Sequence, residues 1–142
     1  MRFMMIVKAS KESEAGVMPS EKLLSDMMNF NEEMAKAGVM LAGEGLHPTS
    51  KGARIRISGT NRAATKGPFE LTNDTIAGFW LIHVKSLDEA IEWAKRVPNP
   101  MPGESEIELR QVFESDEFGS ELTPELRQKE ERLRAQMVGK QR

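Results

Sequence analysis

Two parts of the chain repeat the order strand, helix, strand, and this repetition limits the possible folds more than any other feature. The first part begins with the mainly apolar run Phe3–Lys8 and the second with Ala77–Val84. Both runs are apolar at consecutive positions, which is typical of strands buried on both faces at the centre of a sheet. Because crossover connections are right-handed, this order predicts an α+β, ferredoxin-like βαββαβ sandwich with both helices on one face.

The first helix is predicted to run from Ser20 to about Ala37. Serine is a favourable N-cap, and Gly38 is a favourable stop after the last turn. Between these ends, apolar residues recur at helical spacing, at Leu23, Met27, Phe30 and Met34. The next strand is predicted at Val39–Ala42.

The second helix begins at a local signal. In Ser86-Leu87-Asp88-Glu89, the serine hydroxyl and the glutamate carboxylate are expected to accept hydrogen bonds from each other's backbone amides, as in a capping box. The helix is predicted to end at Pro98, and the last strand to cover Glu106–Phe113.

A β-hairpin is predicted as an insertion between the two halves. Ala53–Ser58 alternates strictly, Gly59-Thr60-Asn61 has the composition of a turn, and Arg62–Lys66 forms the returning strand. The two isoleucines of the first strand are predicted to be buried on one side. Its two arginines then face the other side, where they are either solvated or bind an anion.

The character of the chain changes after Phe113. Glu114–Glu121 is acidic, and Thr123-Pro124 is a favourable helix start with proline at the first position. We therefore predict one domain over 1–113 and an acidic linker with a C-terminal helical tail over 114–142. The helix either lies on its own domain or clasps a partner subunit.

Composition excludes several classes of function. The 142 residues carry 20 basic and 22 acidic side chains and a net charge of −2, which does not favour nucleic acid. No apolar run approaches the roughly 20 residues that span a bilayer, so no membrane contact is predicted. The chain has no cysteine, which fits a reducing compartment, and the start of the chain is predicted to be a strand rather than a signal peptide. A cytoplasmic location is expected.

The predicted fold has a consequence for partners. Helices on one face leave the other face of the sheet open, and both central strands are apolar on that side as well. Soluble monomers rarely expose so large an apolar patch. We therefore predict a homodimer that packs sheet against sheet or edge to edge.

Several motifs, in this order, resemble the YCII-related family and specifically its DGPF-domain branch. They are Gly43–Pro48, Gly67-Pro68-Phe69, Ala77–Trp80, Leu87–Ala94 and Glu106–Arg110. The resemblance covers the chain from Arg2 to Phe113 and implies a dimeric α/β barrel of ferredoxin-like protomers. It implies little about the reaction, and the acid that the branch carries before Gly-Pro-Phe is here Lys66.

One residue is a candidate for catalysis, and several are candidates for binding a small anionic ligand. His47 is either a general base or a loop histidine with a structural hydrogen bond. Arg110 either clamps a carboxylate or pairs with Glu108 or with Glu44 in a neighbouring strand. The predicted ligand-binding residues are Arg110, Glu44, Lys66, Phe69 and Trp80.

The predicted function is that of a small-molecule-binding or accessory protein with a pocket near the sheet. The alternative, implied by relatives of the same fold, is an enzyme that isomerises or eliminates a small carboxylate or lactone. In that case His47 is the base and Arg110 holds the carboxylate. Two histidines and no cysteine make a metal site unexpected, and no cofactor is predicted.

Overall fold

The structure is a computed structural model that describes residues 1–140. The last two residues of the predicted C-terminal tail, 141 and 142, lie outside the described residues. The chain divides into two compact units, Met1–Gln111 and Val112–Arg142. The elements of the first unit are β1 (Arg2–Lys8), α1 (Lys11–Glu14), α2 (Glu21–Lys36), β2 (Met40–Gly45), β3 (Ala53–Ser58), β4 (Asn61–Lys66), β5 (Ile76–His83), α3 (Leu87–Ala94) and β6 (Ile107–Gln111).

Four strands form one antiparallel sheet in the order β2-β5-β1-β6. The strands that follow each other around a helix are therefore separated by another strand, which is the ferredoxin-like order. Residues of both α2 and α3 join the core on the same face of this sheet. The predicted α+β, ferredoxin-like fold is confirmed.

The core lies between the two helices and the central strands. Along β1 buried and half-buried residues alternate, with Phe3, Met5 and Val7 turned toward the helices. From β5, Trp80 and Ile82 enter the same layer. Helix α2 contributes Phe30 and Met34, and α3 contributes Ala90. The prediction that β1 and β5 are the central strands is confirmed.

The opposite face of the sheet carries the residues of β1 and β5 that alternate with the core residues. Met4 and Ile6 of β1 stand beside Leu81 and Phe79 of β5, and all four side chains are half-buried. We call this set the apolar strip. Three charged residues flank it: Glu108 and Arg110 of β6 pair with Ile6 and Met4, and Glu44 of β2 pairs with Phe79. Glu108 also forms ion pairs with Lys8 at 2.8 Å and with Arg110 at 3.5 Å.

Both predicted helix starts are confirmed, with one correction. The hydroxyls of Ser20 and Ser86 each accept the backbone N–H three residues later, at 3.1 Å. The Glu89 carboxylate accepts the N–H of Lys85, at 2.7 Å, rather than that of Ser86. The capping box is thus displaced by one residue, since the carboxylate reaches past the N-cap.

The ends of some elements differ from the prediction. Helix α3 ends at Ala94, before Pro98, and β2 continues to Gly45. Two short elements had no sequence prediction: α1, whose N-cap Ser10 is bonded reciprocally to Ser13, and a 3₁₀ turn at Thr49–Lys51. Both are four residues long or shorter, which is too short to produce a periodic pattern.

The hairpin is confirmed, but the predicted burial of its isoleucines is wrong. Strands β3 and β4 pair in register from Ala53 opposite Lys66 to Ser58 opposite Asn61 and form a separate two-stranded sheet. Every residue of both strands is exposed, including Ile55 at 57% and Ile57 at 65%. No second layer of this unit covers the hairpin, so alternation did not lead to burial.

The second unit contains a 3₁₀ segment at Ser115–Glu121 and the helix α4 (Pro124–Gly139). The predicted start of α4 is confirmed, because the Thr123 hydroxyl accepts the Leu126 N–H and proline occupies the first turn. Within this unit Glu130 accepts from Ser115 at 2.9 Å and pairs with Arg134. These contacts lower the pKa of the Glu130 carboxyl, chiefly through the Arg134 hydrogen bond.

Candidate functional site

A cavity of about 900 Å³ lies in the first unit, which is within the size range of small-molecule sites. It is bordered by α1, the first turns of α2, the segment after β2, and the proline-rich loop after α3. Most of its lining is apolar, from Val17, Met18, Pro19, Leu23, Leu46, Ala77, Pro98, Pro100, Met101 and Pro102.

Local sequence explains the walls of this cavity. The proline-rich loop cannot form a helix, and Asn99 holds its shape by donating to the Gly103 carbonyl at 2.7 Å and accepting from Met101 N–H at 3.2 Å. Met101 is fixed from the other side, since the Ser10 hydroxyl donates to its sulfur at 3.1 Å. The N-cap of α1 therefore connects directly to the wall.

A second lobe of about 320 Å³ adjoins the first. The two lobes share Pro19, Leu23, Gly45, Ala77, Pro100 and Met101. The second lobe reaches the sheet itself, where Trp80, Gly43 and Gly78 line it.

Gly43 makes room for the Trp80 indole in this lobe, and Gly78 makes room for the backbone of β2. A Cβ at Gly43 would stand 2.7 Å from Trp80 Cδ1, and one at Gly78 would stand 2.9 Å from the Glu44 carbonyl oxygen. The indole packs edge-on against Phe30, with ring centroids 5.5 Å apart. Its Nε1–H donates to Asn31 Oδ1 at 2.7 Å, so the buried donor is satisfied.

The ionisable lining of the two lobes is more acidic than basic. Glu12, Lys22, Asp26 and His47 line the larger lobe. Glu44 borders the smaller lobe, but it pairs with Phe79, so its side chain lies on the opposite face of the sheet. Lys22 and Asp26 form an ion pair at 2.9 Å, and the hydrogen bond to Asp26 raises the pKa of Lys22. The lysine charge is therefore already matched by a carboxylate.

The structure brings together three of the predicted site residues. His47 lies in the lining of the larger lobe, and Trp80 and Glu44 lie in the lining of the smaller one. Trp80 is 7% exposed and lies under α2, on the helix-covered side of the sheet.

The other three predicted residues lie outside both lobes. Arg110 is on the edge strand β6, where it pairs with Glu108 at 3.5 Å. Its predicted alternative partner Glu44 is on the opposite edge strand, about three strand spacings or roughly 14 Å away, so the expectation of neighbouring strands is wrong. Lys66 ends β4, and Phe69 lies in the turn that follows.

The turn at Gly67-Pro68-Phe69 is part of a hydrogen-bonded joint. Thr49 donates its N–H and its hydroxyl to the Glu14 carboxylate, at 3.1 and 2.6 Å. The same hydroxyl accepts the Phe69 N–H at 2.9 Å. We call Glu14, Thr49 and Phe69 the joint, because they connect α1, the segment after His47, and the base of the hairpin.

Packing at the joint is close. Gly67 N–H donates to the Gly52 carbonyl at 2.9 Å, and a Cβ at Gly67 would stand 1.9 Å from the Thr49 carbonyl oxygen. The Arg54 guanidinium lies over the Phe69 ring at 4.0 Å. The predicted ligand-binding Phe69 thus has a contact with the hairpin itself.

Sequence reasoning missed Asn31, Glu14 and Thr49. Asn31 had a signal, since it follows Leu23 and Met27 at intervals of four and is the polar position on that helical stripe. Glu14 and Thr49 had none, because they are separated by 35 residues and neither belongs to a motif.

Two general findings concern residues 1–140. None of the helices there is both long and apolar enough to span a lipid bilayer. Over the same stretch, no group of three or more His, Asp or Glu side chains is arranged to hold a metal ion.

Comparison with known proteins identifies the family. A family model described as the YCII-related domain matches residues 1–116. An uncharacterized protein of Rhizobium meliloti (strain 1021) is 31% identical over 90 residues, which is 63% of this chain and 73% of the relative. The family match spans the sheet, the cavity and the joint. The chain therefore belongs to the YCII-related family.

Proposed function

We propose that this protein binds a small, mainly apolar molecule in the two-lobed cavity. The observation that carries this proposal is the lining: a volume of about 900 Å³ bordered by prolines, methionines and aliphatic residues, with few polar groups. Such a combination favours burial of a drug-sized or smaller ligand, with the polar groups setting its orientation.

The charges of the lining favour a ligand that is neutral or cationic. Glu12 adds negative charge, while Lys22 is matched by Asp26. The anionic ligand predicted from sequence relied on Arg110 and Lys66, which lie outside both lobes. An anionic ligand stays a second candidate, and His47 is then the residue that would bind its negative charge.

Three probes of similar shape separate these candidates. Thermal unfolding is measured with phenethylamine, 2-phenylethanol and phenylacetate, which are cationic, neutral and anionic at pH 7. We expect the first two to raise the unfolding temperature and phenylacetate to have no effect. A rise with phenylacetate alone would contradict the proposed ligand charge, and no rise with any probe would contradict the proposed site.

A matched pair of variants locates the binding. Gly45 lines both lobes, and a Cβ there meets nothing within 4 Å, so the side chain of Gly45→Leu is expected to enter the cavity and reduce its volume. Gly139 of α4 is equally open and lies in the other unit. Gly45→Leu is expected to abolish the shift caused by the probes, and Gly139→Leu to preserve it.

Catalysis is the second candidate function, because His47 lies in the lining of the cavity. An imidazole there could remove a proton from a bound lactone and return it to another carbon, which moves one double bond. The probe is α-angelica lactone, whose conversion to the conjugated isomer is followed by absorbance. His47→Gln should remove turnover and keep binding; equal rates in both proteins would contradict the role of His47.

We also propose that two copies pair through the apolar strip of Met4, Ile6, Phe79 and Leu81. These half-buried side chains form a contiguous apolar surface with charged residues beside it, as in protein interfaces. Leu81→Lys is expected to give a monomer in sedimentation velocity; an unchanged dimer would place the interface elsewhere. Membership of the DGPF branch stays a prediction that depends on the Gly67-Pro68-Phe69 turn.

A further inference from the structure

The hairpin of β3 and β4 concentrates positive charge. Residues 51–66 contain five lysine and arginine residues and no acidic residue: Lys51, Arg54, Arg56, Arg62 and Lys66. The rest of the unit Met1–Gln111 contains nine basic and fifteen acidic residues. A basic projection is therefore attached to an acidic body, although the whole chain is nearly neutral.

The same hairpin exposes apolar side chains. Ile55 and Ile57 are 57% and 65% exposed and point to the same side of the ribbon. A two-stranded sheet with nothing packed on it is marginally stable in water. A partner that covers the isoleucines would bury apolar area and stabilise the ribbon.

The base of the hairpin is held firmly. The joint fixes the segments before and after it, and Gly67 N–H donates to Gly52 across its two ends at 2.9 Å. Arg54 is positioned over Phe69. Because the ribbon is already ordered at its base, docking would cost less conformational entropy than the folding of a free loop.

We propose that the hairpin is an arm that docks on a second copy of this chain, at the margin of that copy's apolar strip. There Glu44 stands beside Phe79 at one margin of the strip. On the hairpin, the cross-strand pairing places Arg62 and Lys66 on the same side as Ile55 and Ile57. A carboxylate next to apolar side chains would therefore meet cations next to isoleucines. This proposal depends on the homodimer proposed above and does not depend on which ligand the cavity binds.

A second copy fits this surface better than a polyanion does. A nucleic acid backbone would match the arginines but would leave Ile55 and Ile57 in water. The strip of another copy would supply apolar area for the isoleucines and the Glu44 carboxylate for Arg62 and Lys66 on the same side of the ribbon. The charge of the arm would also favour the correct orientation of the two subunits during encounter.

The absence of cysteine from the chain allows a direct test. Ile57→Cys places a single thiol on the arm, and Ser25→Cys places one on the exposed surface of α2 as the matched control. Sedimentation velocity first defines the concentrations at which each protein is monomeric and dimeric. Maleimide labelling of Ile57→Cys is expected to slow about tenfold in the dimer, because a docked thiol reacts only through its undocked fraction. Ser25→Cys should label at the same rate in both states.

Charge reversal provides a second readout. Arg62→Glu, on the isoleucine side of the ribbon, is expected to raise the dissociation constant of the dimer about tenfold and to reduce its salt dependence. Lys85→Glu changes the net charge equally but lies outside the hairpin, and it should leave the dissociation constant unchanged.

The contrary outcomes are distinct. If the thiol of Ile57→Cys is labelled as fast in the dimer as in the monomer, the proposed docking of the arm is wrong, while the proposed interface through the apolar strip stands. A chain that sediments as a monomer at all concentrations would overturn both, while the probe experiments on the cavity stand. Binding of a short duplex DNA that is lost in Arg62→Glu, with an unchanged dimer, would make a polyanion the occupant and overturn the proposal.

Discussion

In both the four-stranded sheet and the hairpin, alternate residues of a strand share one side, but the environments of the two regions are opposite. Phe3, Met5 and Val7 of β1 are at most 7% exposed, whereas the alternating Ile55 and Ile57 of β3 are more than half exposed. Alternation therefore determines that a segment forms a strand and which residues share a side. Whether that side is buried depends on a second layer, which α2 and α3 supply to the sheet.

The largest expected effect tests this difference directly. Ile82→Ala removes a fully buried side chain and should lower the free energy of unfolding by about 2–5 kcal/mol. Ile55→Ala, measured at concentrations where the chain is monomeric, should change it by about 0.5 kcal/mol or less. Urea unfolding of both variants is the measurement. Equal losses would show that the hairpin is buried within its own subunit.

The next effect concerns the connection between the two regions. Gly67→Ala places a Cβ against the Thr49 carbonyl and requires the backbone to shift, at an expected cost of about 1–3 kcal/mol. Gly52→Ala is the matched control, because its Cβ would meet its nearest atom at an ordinary 3.6 Å. Thermal and urea unfolding compare them. If Gly67→Ala were as stable as Gly52→Ala, the close packing at the joint would be contradicted.

A smaller effect is expected at the hydrogen bond between Trp80 of β5 and Asn31 of α2. Asn31→Ala leaves the Trp80 N–H without its acceptor and should cost about 1–2 kcal/mol. In a Trp80→Phe background the same change should cost clearly less, since no donor remains. The double-mutant cycle measures the coupling. Additive costs would mean that the hydrogen bond contributes nothing.

The smallest effect concerns pH at the edge of the sheet. Hydrogen bonding to Lys8 is the main cause that lowers the pKa of the Glu108 carboxyl from its ordinary 4.5. The resulting stability is complete above pH 4.5 and is lost as the pH falls through the lowered pKa. The stability difference between the natural protein and Glu108→Gln should therefore shrink on acidification. In a Lys8→Met background that pH dependence should largely disappear; if it persisted, another group would be its cause.

Local signals predicted much of the fold. The serine caps at Ser20 and Ser86 and the double apolar runs of β1 and β5 depend on neighbouring residues, so they could be read from the chain. The crossover rule then gave the layer arrangement. The face of Trp80 could not be predicted, because Ala77–Val84 is apolar on both sides.

The site was harder to predict, because it depends on distant residues. His47 was identified from its glycine-rich setting, and it does line the cavity. Glu44 and Arg110 were expected in neighbouring strands, although β5 and β1 separate them. The contact of Glu14 with Thr49 joins residues 35 positions apart, and no pattern within either segment indicates it.

The hydrogen bond from Gly67 to Gly52 has a practical consequence. The chain leaves the domain and returns to it at nearly the same point, so residues 53–66 form a cassette with adjacent ends. A short turn, or a ribbon of different charge, could replace this cassette and keep the remaining connections at their natural lengths. The YCII-related scaffold thus offers a built-in grafting position for redesigning what one subunit presents to its surroundings.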